Sequence, residues 1–324
     1  MRLTDFLEIG RIHTASLTMP AAALGYLIGG GTWDEPMMAF WLFFALLFHY
    51  VGFLLNNIFD LPYDRQDASK AHFALVDGRI SLKDAWTIEI IGVAMALALV
   101  ILVSWGKLLA ALTGMAAILL GVLYNAVSKR TTLSPLLITA SFTSLFLFPY
   151  LTRAAGRKDL ALLVALFMVL LMLFQIGYEG YLKDIEADKL NLLRRLGSRV
   201  VDGVFKPTKG SIILGLPLRL LLCFVAILIL VQARTEEPLA ILLTLFLITV
   251  LLYLSALVMR QQSWRRDVVV TRCALNEVFA YFTLVAALQG LLGWLGVSLF
   301  IFLPMLWFIV WNRILWGTKI LPRV

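Results

Sequence analysis

The sequence predicts an all-α integral membrane protein, a bundle of nine to ten transmembrane helices in two pseudo-repeated four-helix blocks. Three observations carry that expectation: the composition, the spacing of apolar runs, and the distribution of lysine and arginine. Of 324 residues, 61% are hydrophobic and 15% are charged, and the mean hydropathy is +0.91. Soluble domains carry about 45–50% apolar and about 25% charged residues, so most of this chain belongs in lipid. The N-terminal stretch carries Asp5, Glu8 and Arg11 ahead of its first apolar run and lacks a cleavage pattern, so that run reads as a retained helix. Cys223 and Cys273 fall in separate apolar segments, which argues against a disulfide or a metal site there. A net charge of +8 would suit nucleic acid. In a membrane protein it reflects basic cytoplasmic loops facing anionic headgroups, and no nucleic-acid partner is expected.

A helix needs about 20 mainly apolar residues to cross the hydrocarbon core. That rule places spans near 12–30, 37–58, 85–105, 108–127, 133–152, 159–182, 212–233, 238–259, 272–290 and 293–312. The last two divide near Leu292-Gly293 and are together too long for one crossing, so the helix at about 293–312 is an extra C-terminal one. With the N-terminus inside, 22 of the 28 Lys and Arg fall in cytoplasmic segments, among them Lys319 and Arg323 near the C-terminus. Five fall outside, and Arg219 remains within a span near its inner end, where it is expected to snorkel. The asymmetry predicts both termini in the cytoplasm, and ten spans in preference to nine.

Residues 1–324 read as one transmembrane domain with two long loops, 59–84 and 183–211, both cytoplasmic and both acidic. Long polar loops in a compact membrane bundle point to function. Asp60 and Asp184 are 124 residues apart, as are Asp64 and Asp188. Each pair follows the second helix of a four-helix block, and each block ends in a basic loop, Lys129-Arg130 or Arg265-Arg266. A parallel repeat of this kind would bring the two acidic segments together at one membrane face.

The first segment stacks Asn56, Asp60 and Asp64 at i, i+4 and i+8, on one face of a helix. The second repeats the i, i+4 spacing with Asp184 and Asp188. Like charges so spaced repel, and a cation between them relieves the repulsion. Every donor is an oxygen, which suits Mg²⁺ better than zinc. Mg²⁺ takes one or two carboxylates and fills its shell with water and phosphate oxygens, so the pattern suggests a clamp for a diphosphate. His49, seven residues before Asn56, reads as polar packing on that face, and Glu179 as a partner for Lys183 at i+4.

Asn56-x-x-x-Asp60-x-x-x-Asp64 and Lys183-Asp184-Ile185-Glu186-Ala187-Asp188-Lys189 resemble the two Asp-rich motifs of the UbiA superfamily of intramembrane prenyltransferases. Ala74-Leu75-Val76-Asp77-Gly78-Arg79-Ile80-Ser81 is similar to that family's PLxSGxIS segment. Tyr124 with Lys129-Arg130 resembles its Tyr…Lys-Arg element, and Arg195-Leu196-Gly197 its RLG. The resemblance extends over about residues 8–290. It implies a UbiA-like bundle and Mg²⁺-dependent transfer of a prenyl group from a prenyl diphosphate to a lipophilic or aromatic acceptor in the bilayer, a step of isoprenoid biosynthesis. It also implies roles for single residues. Asn56, Asp60, Asp64, Asp184 and Asp188 would bind Mg²⁺ and diphosphate. Lys129, with Arg65, Arg130 and Lys183, would neutralise the leaving group, and Arg11 would lie near the acceptor. Phe53, Phe59, Tyr124, Phe174, Tyr178 and Tyr181 are candidates to line a dry cavity for the allylic cation.

Some residues depart from the family pattern. Asn57 stands where an Asp is usual, and Phe73-Ala74 replaces Arg-Pro. Pro62 lies between the first two aspartates and is expected to end the helix near Asp60, which makes the first segment the irregular half and the second the safer one. An aromatic or quinone precursor is the favoured acceptor. A glycerol phosphate lipid, a sugar phosphate, and cyclisation without an acceptor are the alternatives. A transporter, or an inactive lipid-binding protein, is the non-enzymatic reading.

Overall fold

The computed structural model describes residues 2–67, 70–186, 188 and 190–317. Of the residues singled out above, Ala187, Lys189, Lys319 and Arg323 lie outside the described residues. A short helix α1 (Leu3–Ile9) leads through a 3₁₀ segment (Ile12–Leu17) into α2 (Thr18–Ile28). There follow α3 (Pro36–Asp64), α4 (Leu82–Val103), α5 (Leu108–Val127), α6 (Ser134–Arg153) and α7 (Lys158–Phe174). A π-helical turn (Gln175–Gly180) joins α7 to α8 (Tyr181–Lys183), and α9 (Leu192–Arg195) lies in the second long loop. The chain ends through α10 (Lys209–Gln232), α11 (Pro238–Met259), α12 (Arg266–Ala287) and α13 (Gln289–Trp316).

Among the described residues nine helices are long and apolar enough to cross a membrane, the run Lys158–Lys183 counting as one. The first expected span is shorter, Ile12–Ile28. Its 3₁₀ part rises faster per residue than an α-helix, so the stretch still reaches roughly 28 Å, close to the ~30 Å hydrocarbon core. Element ends follow local chemistry. Pro36 and Pro238 open α3 and α11, where the missing N–H costs nothing. Ser81 accepts from the Asp84 N–H at 3.1 Å to cap α4, and Thr208 and Ser211 cap α10 reciprocally. The break between the last two helices falls at Leu288, and Gly293 (φ 63°) kinks α13 just inside its start.

The chain forms two compact units. The first comprises Met1–Ala126, Thr143–Lys158 and Phe302–Val324, and the second Val127–Phe142 and Asp159–Ile301. In the first, Ile9, Tyr50, Leu54, Ile58 and Leu61 pack with Ala74, Leu75, Ile80 and Ala85, so the loop after α3 belongs to the core. α2 runs almost in contact with the backbone of α6. A Cβ on Gly25 would collide with the Phe146 carbonyl oxygen. Small residues allow such approaches between membrane helices. Gly25→Ala is therefore expected to cost about 1–3 kcal/mol, read as a lowered Tm in detergent; an unchanged Tm would mean that the two helices part at no cost.

In the second unit Phe174, Tyr178, Leu182 and Ile185 pack with Leu193, Phe205, Val258, Met259, Val269 and Cys273. This unit holds an unanticipated small antiparallel sheet, β1 (Arg199–Val201), β2 (Val204–Lys206) and β3 (Gln262–Ser263), in the order β1-β2-β3. Asp202 (φ 51°) and Gly203 (φ 68°) make the two-residue turn between β1 and β2, where both residues need positive φ. Arg219 does not snorkel. It is fully buried, with its guanidinium 3.8 Å from the centre of the Phe174 ring. Cys223 and Cys273 are buried free thiols.

Candidate active site

The first acidic segment is regular helix, contrary to expectation. α3 continues through Pro62 to Asp64, so Asn56, Asp60 and Asp64 share one face of a single helix. Proline already has a helical φ, and only the Ile58 carbonyl loses its donor. Ile58 and Leu61 are anchored in the core, the Arg65 N–H reaches the Leu61 carbonyl at 3.1 Å, and the Gln66 side chain donates to the Pro62 carbonyl at 2.9 Å. Asp64 is buried and accepts from Lys70 at 2.6 Å. The Asn56 amide nitrogen donates to Asn125 Oδ1 at 3.4 Å, which turns its oxygen into the available acceptor. Arg65, at the end of α3, is exposed, and Tyr124 on α5 is half-buried.

Asn57 has a local task. It accepts from Arg11 Nη2 at 3.0 Å and donates to the Ile9 carbonyl at 2.7 Å. Arg11 itself is left-handed (φ 44°, ψ 45°), an uncommon conformation for a side chain of its size. Its guanidinium lies 5.1 Å from the centre of the Phe53 ring. Burial draws the Arg11 pKa below its ordinary value, while Asp60, Asp64 and Tyr124 oppose the shift. His49 is a brace, as expected of polar packing. Its Nδ1 is 2.8 Å from Thr18 Oγ1, and its Nε2 is 3.2 Å from both Thr14 Oγ1 and the Arg11 carbonyl. From α13, the Trp307 indole donates to the Ile12 carbonyl at 2.8 Å, and Trp316 meets His72 and Phe73 ring to ring.

The loop after α3 is fastened to α1 by Arg79. Arg79 pairs with Asp5, with Asp77 at 2.6 Å and with Glu8 at 3.5 Å, and donates to the His72 carbonyl at 2.6 Å. Glu8 also accepts from the Ala74 N–H at 2.9 Å. Burial raises the pKa of Asp5, but the Arg2 N–H and the Arg79 guanidinium outweigh it and hold the carboxyl below its usual range.

The second segment proves the irregular one. α7 gives way to the π-helical turn, α8 ends at Lys183, and Asp184 and Asp188 lie beyond it. Their i, i+4 relation survives in one bond, from the Asp188 N–H to the Asp184 carbonyl at 2.9 Å. Arg266 at the start of α12 lies 3.3 Å from Asp184, and Lys129 lies 3.2 Å from Asp188. Lys183 pairs with Glu277 at 3.4 Å and not with Glu179, because Glu179 is buried and accepts from Asn276 at 2.6 Å. Tyr181 donates to the Thr132 carbonyl at 3.0 Å, and Arg130 is exposed in the same turn region. Phe174 and Tyr178 are fully buried and stacked at 5.2 Å. They are core packing and not cavity lining.

Two further basic residues, Lys70 and Arg266, stand beside the acids, although the sequence pattern marks them only as loop charge. Asp64, Asp184 and Asp188 thus each hold a basic counter-ion: Lys70, Arg266 and Lys129 respectively. Among the described residues no group of three His, Cys, Asp or Glu side chains could hold a metal ion unaided. The donors on both acidic segments are oxygens, which suit Mg²⁺, a hard cation that fills its shell with water and phosphate oxygens.

The sequence matches the model of the UbiA prenyltransferase family over residues 18–271. In fold the chain is similar to a UbiA homologue from Aeropyrum pernix K1, with a TM-score of 0.63, 19% identity, and coverage of 86% of this chain and 97% of that one. It is similar to a UbiA homologue from Archaeoglobus fulgidus bound to GPP and Mg²⁺, with a TM-score of 0.59, 16% identity, and coverage of 86% and 99%. A digeranylgeranylglyceryl phosphate synthase gives a TM-score of 0.58, 19% identity, and coverage of 89% and 98%. At these identities the structural likeness is one of fold. No curated protein sequence matches the chain.

Proposed function

From the premise that this chain belongs to the UbiA prenyltransferase family, we propose that it transfers a prenyl group from a prenyl diphosphate to a membrane-associated acceptor in an Mg²⁺-dependent reaction. The observation that carries this reading is the pairing of acid with base at both segments, Asp64 with Lys70, Asp184 with Arg266 and Asp188 with Lys129. Acids and bases interleaved in this way suit a metal–diphosphate, the carboxylates taking the metal and the cations the phosphate oxygens. The GPP and Mg²⁺ held by the Archaeoglobus homologue support the same class of donor.

In this scheme Asn56, Asp60, Asp64, Asp184 and Asp188 would hold the metal–diphosphate. Mg²⁺, when bound, would supply positive charge against the charge that develops on the departing diphosphate. Lys129, Lys70 and Arg266, with Arg65, Arg130 and Lys183, donate to the phosphate oxygens. The allylic C–O bond breaks with its electron pair leaving on the diphosphate, the allylic carbon bonds to the acceptor, and the acceptor's proton passes to solvent. Arg11, fixed above Phe53 by Asn57, suits an anionic aromatic head, so an aromatic or quinone precursor is the acceptor class we favour. The bias of lysine and arginine supports a cytoplasmic position for both Asp-rich loops and both termini in this reading.

The test is diphosphate release by protein in lipid nanodiscs given labelled geranyl or geranylgeranyl diphosphate. The expected result is release that needs Mg²⁺, stops with EDTA, and rises with an aromatic acid acceptor. A rise with a glycerol phosphate lipid instead would change the acceptor, and cyclic hydrocarbon formed without any acceptor would make the chain a cyclase. No release under any of these conditions would overturn the reading.

A further inference from the structure

Asp184 and Asp188 lie off the end of a helix, so something other than helix geometry must aim them. The second unit holds a polar grip that no site residue expected from the sequence includes. Within the apolar part of this unit, Glu179, Asn276 and Ser255 are all fully buried. Ser255 Oγ donates to Asn276 Oδ1 at 3.0 Å, and Asn276 Nδ2 donates to Glu179 Oε1 at 2.6 Å. The Glu179 carboxyl oxygen, inside the π-helical turn, takes the amide nitrogen and so sets which way Asn276 faces. The single Ser255 proton is shared between the Leu251 carbonyl at 2.7 Å and the Asn276 amide oxygen.

α12 holds the same stretch at two further levels. Arg266, its first residue, takes Asp184, and Glu277, eleven residues later, takes Lys183. Eleven residues of helix rise about 16 Å. The side chains of the adjacent residues Lys183 and Asp184 are thus drawn in opposite directions along α12. From the other side, Arg219 on α10 covers the Phe174 ring, which stacks on Tyr178 of the turn. A π-helical turn is seldom found without a constraint that holds it, and such turns recur at functional sites.

We propose that Asn276 is a positioning residue for diphosphate binding. Through Glu179 it holds the π-helical turn and so sets the direction in which the chain presents Asp184 and Asp188. The inference rests on the prenyl-transfer reading for its kinetic consequence, but not for its structural one. Asn276 touches neither metal nor diphosphate in this scheme, and its effect is on the acids.

The test is a donor–acceptor exchange. Asn276→Asp sets a carboxylate against Glu179, and adding Glu179→Gln restores one hydrogen bond with its polarity reversed. In N276D the KM for prenyl diphosphate and the Mg²⁺ concentration for half-maximal rate are expected to rise about ten-fold, with a smaller change in kcat, and the double variant is expected to recover most of the loss. Ser255→Ala, which removes a hydroxyl shared between the Leu251 carbonyl and the Asn276 amide oxygen, is expected to raise KM about two- to three-fold without impairing folding. Hydrogen exchange over residues 175–188 gives a readout independent of activity, faster in N276D and slowed again in the double variant. Unchanged exchange and KM in folded N276D and S255A would overturn the proposal. So would a loss that the double variant fails to recover. If the wild type releases no diphosphate, the functional reading fails, and the exchange data alone decide the positioning role.

Discussion

Asp184→Asn is expected to lower Mg²⁺-dependent diphosphate release by about 10²–10³-fold, and Asp60→Asn to do the same, with neither variant losing its fold. The substitution keeps the shape of the side chain and removes only charge. Asp184 lies half-exposed beyond the helix, 3.3 Å from Arg266. An ion pair so open to water contributes about 0–1 kcal/mol to stability, so the Tm of D184N should barely move. Its effect belongs to the reaction, where a missing carboxylate weakens the hold on a metal that meets the leaving charge. Asp60 differs in setting but not in outcome, because it stands on the same helix face as Asn56 and Asp64. Rates measured over a range of Mg²⁺ separate weak metal binding, which excess metal restores, from a slower chemical step. Wild-type release from either variant at limiting Mg²⁺ would remove that aspartate from the site.

Arg79→Ala is expected to cost about 1–3 kcal/mol, because Asp5 is buried while Arg79 is exposed and water can reach the gap it leaves. Arg79 pairs with Asp5, Glu8 and Asp77 at once, and Asp5 is only 3% exposed. Adding Asp5→Asn should recover part of the loss, because it removes the stranded charge itself. The dependence on pH has a definite sign. The Asp5 carboxyl is held below its ordinary 3.8 in the folded chain, so its contribution is complete above that value and is lost as pH falls through the lower folded one. The penalty of R79A should therefore be full at neutral pH and shrink in strong acid. Thermal unfolding at pH 7 and pH 3, with limited proteolysis of the loop after α3, checks both points. A variant as stable as wild type at pH 7 would show that the loop is held by its apolar residues alone.

The helices were legible because lipid leaves a chain few choices. Two spans, Leu108–Val127 and Pro238–Met259, fall where hydropathy alone puts them. The acids were legible for a related reason, since an i, i+4, i+8 set of oxygen donors at the end of an apolar helix is hard to produce by accident. Local breakers misled. Pro62 read as a stop, but a proline costs one hydrogen bond, and Ile58 and Leu61 packed in the core outweigh it. The second segment looked safe because no proline interrupts it, and nothing in a local pattern reports a π-helical turn held by Asn276 from ninety-seven residues away. Glu179 was matched to Lys183 by spacing, which that turn alters. The hairpin at Asp202-Gly203 could have been read, as Asp-Gly between valines is a strong turn signal. Lys70 and Arg266 could not, because their importance lies in which carboxylate each one reaches.

The bond from Trp307 to the Ile12 carbonyl spans 295 positions of sequence. A ribosome adding about 5–20 residues each second needs roughly 15–60 s to cover that distance. For that interval the N-terminal segment beside Arg11 exists without the helix that fastens it, and over its last 119 residues, from Asp188 to Trp307, the acids of both loops are already made. Completion of the first unit is thus an event of late synthesis, and a chain stalled before α13 would carry its aspartates with Arg11 not yet braced.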